Sequence, residues 1–350
     1  MLERVDIEAF LRLRRDLPVI DVRSPKEYAH GHIPTAINLP VFSDDERAEV
    51  GTLYKKRGRE VAMAKALSIT QPKREKMLQQ VLDISDENGS EVLVHCWRGG
   101  MRSEKFAEFL SENGVNVKLL TGGYKAYRNA IHGALRLPWK LIILGGMTGT
   151  GKTDILLELK VKGHQVICLE SIARHKGSAF GRLGQDGQPT TEQFQNDLWE
   201  EWSTLDISKP VILEDESQAI GSVRIPDELF AAMRTCPVIN LQLIRSQRAE
   251  RLVAEYGKFD IADLKKSVLN ISRRLGHERS VQAVKDLDEG NLLDVAISTL
   301  QYYDKAYTFG LNKRDKDTVE TIEINSGDAK NNAQIVEDCL PNIEARSWKR

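Results

Sequence analysis

Residues 145–153, G-G-M-T-G-T-G-K-T, limit what this chain can fold into more than any other stretch. Trp139 to Leu144 before them is an apolar run of strand type, and a helical pattern follows. In that setting Gly146-x4-Gly151-Lys152-Thr153 is a phosphate-binding loop, or P-loop. Gly146, Thr148, Gly149, Thr150 and Gly151 let backbone N–H groups wrap a di- or triphosphate. Lys152 reaches terminal phosphate oxygens, and Thr153 can ligate Mg²⁺.

More strand-like runs follow at 165–169, 211–213, 238–244 and 321–324, as a parallel α/β sheet requires. The run at 211–213 leads into Glu214-Asp215-Glu216-Ser217, where a carboxylate can hold Mg²⁺ directly or through water. The pattern favours this metal role for Thr153 with Asp215 or Glu214, without separating the two acids; acidic residues also commonly follow buried strands. Arg174, His175, Lys176 and Arg182 lie in a small-residue segment that suits approach to an anion or a plain surface loop. Arg245, Arg248 and Arg251 recur at helical spacing and suit either phosphate closure or a solvated face. Residues 246–310 are helical in pattern and carry Arg273-Arg274, so they read as an RNA-contacting lid or as packing. Trp199 and Trp202, three apart, read as a core stripe. Residues 326–350 read as a last helix and a polar tail.

The first third of the chain carries a second loop of chemical interest. Glu91 to Ser103 reads E-V-L-V-H-C-W-R-G-G-M-R-S: a strand ending at His95-Cys96, a glycine-rich loop with Arg98 and Arg102, then a helical pattern from Ser103. Loop amides at a helix N-terminus, with guanidinium groups nearby, lower a cysteine pKa and hold an oxyanion. A thiolate carrier, a cysteine phosphatase (Cys96-x5-Arg102) and a buried structural cysteine all start from this pattern. Around it run a helix at 6–15, strands at 18–23, 36–39, 92–94 and 117–120, an N-cap at Ser24-Pro25, and a turn at Thr121-Gly-Gly123 before a helix from Tyr124. A helical insertion at 42–90 holds Lys55, Lys56, Arg57, Arg59, Lys65, Lys73, Arg74 and Lys76 against Glu60 and Glu75. It suits a phosphate backbone or a solvated face equally.

D-V-R-S-P-K-E-Y-A-H-G-H-I-P-T-A-I-N-L-P (21–40), the cysteine loop and T-G-G-Y-K-A-Y (121–127) together resemble a rhodanese domain, a module that carries sulfur or selenium on cysteine. The loop has one residue more between Cys96 and Arg102 than ordinary single-domain rhodaneses carry. The expected architecture is α/β: an N-terminal rhodanese-like domain (1–136) and a C-terminal P-loop NTPase-like parallel-sheet domain (137–350) with a helical subdomain. Together with L-E-D-E-S-Q-A-I-G (213–221), the ordered set resembles the tRNA 2-selenouridine synthase family. The resemblance implies conversion of wobble 2-thiouridine in tRNA to 2-selenouridine with selenophosphate, through S-geranylation by geranyl diphosphate. It implies Cys96, Arg98 and Arg102 as catalytic residues, a selenophosphate-supplying enzyme as a partner, and no tightly bound cofactor. Lys55, Lys56, Arg57, Arg59, Arg273 and Arg274 are the tRNA-binding candidates. A sulfurtransferase coupled to an ATP-dependent P-loop domain, and a regulatory nucleotide switch, remain as other classes.

Composition excludes several alternatives. The 350 residues are 41% hydrophobic and 29% charged with a formal net charge of −1, which fits an ordinary globular chain and no globally basic nucleic-acid binder. Cys96, Cys168, Cys236 and Cys339 form no C-x-x-C pair, against a zinc site or disulfide framework. No apolar run reaches membrane-spanning length, and a cytoplasmic location is expected.

Overall fold

The computed structural model describes residues 1–85 and 89–347 and divides into two compact units, Met1–Ala134 and Leu135–Arg350. The end of the basic insertion and the last residues of the expected polar tail lie partly outside the described residues. Among those described, no helix is long and apolar enough to cross a membrane.

The first unit runs β1 (Leu2–Val5), α1 (Ile7–Leu13), β2 (Val19–Asp21), α2 (Pro25–His30), β3 (Ile37–Asn38), α3 (Asp44–Thr70), α4 (Arg74–Ser85), β4 (Glu91–His95), α5 (Met101–Glu112), β5 (Asn116–Leu120) and α6 (Gly123–Leu135). Its sheet has the order β1-β5-β4-β2-β3, every pairing parallel. β4 is therefore the middle strand, and Val92, Leu93 and Val94 are buried on both faces, as a parallel strand demands. β1, which the sequence pattern does not announce, is an edge strand whose Glu3 and Arg4 stay exposed.

Local chemistry sets the helix starts. Asp6 accepts the Ala9 N–H at 2.8 Å to cap α1. Ser24 and Glu27 form a capping box at α2, and Ser43 and Glu46 another at α3. The insertion is not a free appendage: Met77 and Val81 of α4 pack into the core with Val94, Phe106 and Leu110. Several of its cations are engaged within the fold: Lys65 with Glu49 at 2.8 Å, Lys73 with Glu46 at 2.5 Å, and Arg74 over the Phe109 ring at 5.2 Å from its centroid. Lys55, Lys56, Arg57 and Arg59 are all exposed and crowd one point, the interruption of α3 at Gly58.

The second unit runs β6 (Leu141–Gly146), α7 (Lys152–Val161), β7 (Gln165–Ile167), α8 (Leu169–Ala173), α9 (Thr191–Trp202), β8 (Val211–Glu214), a hairpin of β9 (Ala219–Ile220) and β10 (Val223–Arg224), α10 (Asp227–Thr235), β11 (Val238–Gln242), α11 (Arg245–Tyr256), α12 (Ile261–Asn270), α13 (Ser272–Leu275), α14 (His277–Asp288), α15 (Leu292–Leu311), β12 (Val319–Glu323) and α16 (Ala329–Ser347). The main sheet, β12-β11-β6-β8-β7, is again all parallel, with β6 in the middle. Leu156 and Leu159 of α7 and Val336 and Leu340 of α16 pack with Ile142, Leu144 and Leu241. Trp202 is fully buried, edge-on to Trp139 with centroids 5.3 Å apart, so the tryptophan stripe is core. Helices α11 to α15 keep a core of their own around Leu264, Val268, Leu287 and Val295.

Gly58 has φ 83° and ψ −179°, a backbone that side chains resist. Gly58→Ala should cost about 1–3 kcal/mol and lower the urea midpoint of unfolding without changing the slope. An unchanged midpoint would mean that the break in α3 does not need glycine.

Candidate functional site

The cysteine loop begins at the end of the middle strand of the first unit. His95 is fully buried, and burial lowers its pKa, so the ring is neutral. Cys96 follows, buried, and its sulfur accepts the Ser103 hydroxyl at 3.1 Å. The sequence pattern points to a helix start at Ser103, yet α5 begins at Met101. Gly100 takes the extended N-cap backbone (φ −99°, ψ −161°) and makes no side-chain cap bond, so the first amides of α5 lack a side-chain partner. Such amides suit an anion.

Three motifs distant in sequence build this loop. Arg102 donates to the two oxygens of Glu27 at 2.5 and 3.2 Å. Burial alone would raise the Glu27 pKa, but Arg102 and the Ser24 N–H bring it below the ordinary value. α2, which carries Glu27, starts beside a fully buried ion pair, Arg23 to Asp21 at 2.6 Å. Arg23 also donates to the Gly31 carbonyl at 2.8 Å and lies 3.9 Å from the Tyr124 ring centroid. From the other side, Tyr124 N–H donates to the Cys96 carbonyl at 2.8 Å and Lys125 N–H to Trp97 at 3.0 Å. Gly123 has φ 58°, and a Cβ there would collide with the Cys96 carbonyl and the Gly99 amide. Arg98 is exposed on the same loop. One end of an apolar groove of 120 Å³, lined by Tyr54, Met63, Leu67, Phe106 and Phe109, reaches Arg102.

The P-loop follows the middle strand of the second unit. The Tyr307 hydroxyl accepts the Gly146 N–H at 2.7 Å and donates to Asn240 Oδ1 at 3.1 Å. Lys152 Nζ donates to the Gly146 carbonyl at 3.0 Å. α7 starts at Lys152 with Gly151 as a left-handed N-cap and no side-chain cap bond, the arrangement that offers amides to phosphate. A cavity of 350 Å³ lies over the loop, with Gly151, Lys152, Lys176, Glu216, Arg251 and Tyr307 on its walls.

Carboxylates crowd one side of that cavity. Thr153 Oγ1 donates to Glu170 Oε2 at 2.9 Å. Glu216 shares a hydrogen bond with Glu170; burial and the Glu170 charge raise its pKa well above the ordinary value, against the pull of Lys152. Thr153, Glu170 and Glu216 are hard oxygen donors of the kind that Mg²⁺ takes, alongside the phosphates of a substrate. Among the described residues no three acidic, histidine or cysteine side chains make a ready cage.

Of the acids singled out in the sequence, Asp215 lines the same cavity and Glu214 is buried outside its walls. Asp215 is held by Arg234 at 3.1 Å and by the nearly buried Arg314 at 2.6 Å. Glu214 is fully buried, accepting from the Leu169 N–H at 2.7 Å and from Cys168 Sγ at 3.0 Å. Both are committed to protein partners, so the carboxylates next to Thr153 are Glu170 and Glu216. Arg245 and Arg248 both pair with Asp304, at 3.0 and 2.8 Å, and buried Arg248 donates to the Thr148 carbonyl at 3.1 Å. Arg248 thus braces the P-loop from its carbonyl side. Arg251, paired with Asp154, is the member of the arginine series that lines the cavity. Arg174, Arg273 and Arg274 are exposed and outside its walls. Glu27 and Tyr307 carry no local signal of these contacts, because each acts across the fold, whereas Ser103 acts within the cysteine loop itself.

Comparison with known proteins follows the same division. The family described as "tRNA 2-selenouridine synthase AAA domain" matches residues 139–338, and the rhodanese-like domain matches residues 6–130. A tRNA 2-selenouridine synthase of Shewanella pealeana is 32% identical over 86% of this chain and 91% of its own length. The one of Bordetella petrii is 33% identical over 88% of this chain and 90% of its own. The one of Nitrosomonas europaea is 36% identical over 69% of this chain and 64% of its own.

Burial and the Glu170 charge raise the Glu214 pKa from 4.5 to about 7. The folded state then binds more protons than the unfolded one between those values, so stability falls as pH rises through that window. Glu214→Gln should flatten this fall, a difference of up to about 3 kcal/mol, read from urea midpoints across the window. Parallel profiles for parent and variant would contradict the raised pKa.

Proposed function

The chain belongs to the tRNA 2-selenouridine synthase family, and from that premise we propose that it uses its two loops for two successive steps on the wobble 2-thiouridine of tRNA. In the first, the thiouridine sulfur attacks C1 of geranyl diphosphate. The S–C bond forms, the C–O bond breaks and pyrophosphate leaves. Lys152 and the amides at the start of α7 receive the departing charge, the type of stabilisation that dominates such reactions. In the second, selenium from selenophosphate replaces the alkylated sulfur. The C2–Se bond forms, geranyl thiolate leaves, and water takes the phosphoryl group. Cys96 takes the phosphoryl group from selenophosphate as a thiophosphate, which frees selenide to attack C2 and which water then cleaves, with Arg98, Arg102 and the loop amides on the phosphate.

The observation that carries this reading is the pairing of Cys96, an Arg102 fixed by Glu27 and an uncapped helix start on one loop. Together they give a thiol and an oxyanion site within one turn of chain. The groove that reaches Arg102 offers apolar wall to a leaving geranyl group. Mg²⁺, if taken by Thr153, Glu170 and Glu216, would supply further positive charge to the diphosphate. The exposed cluster Lys55, Lys56, Arg57 and Arg59, with Arg273 and Arg274, is proposed to bind the tRNA backbone. The chain works in the cytoplasm, downstream of an enzyme that makes selenophosphate.

Nucleoside mass analysis after incubation with thiouridine tRNA, geranyl diphosphate and selenophosphate tests the two steps. Cys96→Ser should abolish selenouridine and leave S-geranyl-thiouridine, and Lys152→Ala should slow geranylation on the order of 100-fold. Selenouridine made at the parent rate by Cys96→Ser would sink the cysteine's role. ATP hydrolysis lost with Lys152→Ala, with no geranylation by the parent, would support the ATP-dependent sulfurtransferase instead.

Neutralising Lys55, Lys56, Arg57 and Arg59 together should lower the salt dependence of tRNA binding, the slope of log K against log salt falling by about one for each phosphate that the variant no longer neutralises. A slope identical to the parent's would remove this face from the tRNA site.

A further inference from the structure

We infer that Arg251 is a catalytic residue of the P-loop: its guanidinium leaves Asp154 and donates to the pyrophosphate as the C–O bond breaks. The inference rests on the geranylation step proposed above and adds a residue to it. Helix α11 lies directly on the loop. A Cβ at Gly149 would stand 3.0 Å from the Arg248 carbonyl oxygen and 3.3 Å from Leu252 Cγ, and one at Gly151 would stand 3.2 Å from Arg251 Cζ. Two arginines one turn apart on α11 thus meet the loop at two points. Arg248 meets it at the Thr148 carbonyl, and Arg251 at Gly151, the N-cap of α7.

The two differ in what they can still bind. Arg248 is buried, and its donors go to the Leu243 and Thr148 carbonyls and the Asp304 carboxylate. Arg251 keeps 29% of its side chain exposed on the cavity wall and pairs with Asp154, whose side chain is 49% exposed. An ion pair so open to water is weak and exchanges readily. Asp154 lies in the first turn of α7, where negative charge is favoured, so in the free protein its carboxylate stands in for phosphate charge. A diphosphate on the amides of α7 brings a larger charge to the same guanidinium and more than one oxygen to accept from it.

The demand on Arg251 peaks as the leaving group departs. When the thiouridine sulfur attacks C1, the C–O electron pair goes to the pyrophosphate oxygen, and N3 releases its proton to water. Arg251 transfers no proton; its N–H groups and fixed charge meet oxygens whose charge grows during the step. Lys152 brings a point charge to the same group, whereas a planar guanidinium spans two oxygens, so lysine at position 251 replaces only part of the function.

Single-turnover geranylation of thiouridine tRNA by the full chain, with geranyl diphosphate titrated, separates rate from affinity. Arg251→Ala should slow the bound-substrate rate on the order of 100-fold while the affinity changes far less, and Arg251→Lys should recover part of the rate. Asp154→Asn, which breaks the pair but keeps Arg251, should run at least at the parent rate. A pair that only braces α7 would make Asp154→Asn as slow as Arg251→Ala, and that result overturns the inference, as does an Arg251→Ala rate equal to the parent's. If Arg251→Ala fails to fold, Arg251→Lys takes its place, and it must be slower than Asp154→Asn. Calorimetry with inorganic pyrophosphate reads the contact apart from the reaction: Arg251→Ala should bind it on the order of tenfold more weakly, and unchanged affinity overturns the inference. Weakened pyrophosphate binding in Arg251→Ala, with no geranylation by the parent, would sink the proposed reaction and leave Arg251 standing as the phosphate-binding arginine.

Discussion

Each unit of this protein hangs its chemistry on the middle strand of an all-parallel five-stranded sheet. A parallel sheet with helices on its faces sends every strand toward the same edge, where helix N-termini also gather. The middle strand is buried on both sides, so its end point is fixed by packing from two neighbours. β4 delivers His95 and Cys96, and β6 delivers Gly146, each to a glycine-rich turn whose helix opens without a side-chain cap. The amides that remain are the shared resource. What differs is the partner beside them: a thiol in the first unit, a lysine in the second.

Charges around both loops are arranged by pairing. Glu27 with Arg102, Asp304 with Arg248, and Asp215 with Arg314 join segments distant in sequence, and Asp21 with Arg23 is a local buried pair at the end of β2. Buried ion pairs add little net stability, because desolvation offsets attraction. Breaking one leaves an unpaired charge, so such pairs hold geometry more than they hold the fold. Arg248 fixes the carbonyl side of the P-loop and leaves the amide side to the ligand. Glu27 does the same for Arg102, which is turned toward the cysteine loop before any substrate arrives.

Motif-bearing segments are legible from residue order alone. The P-loop needs its glycines and lysine within nine residues, and the cysteine loop its arginines within a turn, so the chemistry is local. Helix caps such as Ser24-Pro25 are legible for the same reason. Contacts across the fold are not. Tyr307 reaches Gly146 over 161 residues, and nothing near Tyr307 announces it. Asp215 sits on the cavity wall where a metal-binding acid is expected after a strand, and its pairing with Arg234 of α10 and Arg314, beyond α15, is not announced by anything near it in sequence. Glu170 carries no motif of its own, and only the packing of α8 beside Thr153 brings its carboxylate to the site. The basic insertion splits in two for a similar reason: α4 buries Met77 and Val81, while the residues around Gly58 stay outside.

The central claim is that the two loops act in sequence, the P-loop before the cysteine. tRNA that already carries S-geranyl-2-thiouridine bypasses the first step, so the most direct measurement is its single-turnover conversion to selenouridine by Lys152→Ala. The account predicts the parent rate for Lys152→Ala with this substrate and none for Cys96→Ser. A Lys152→Ala rate on pre-geranylated tRNA as low as on thiouridine tRNA would contradict it.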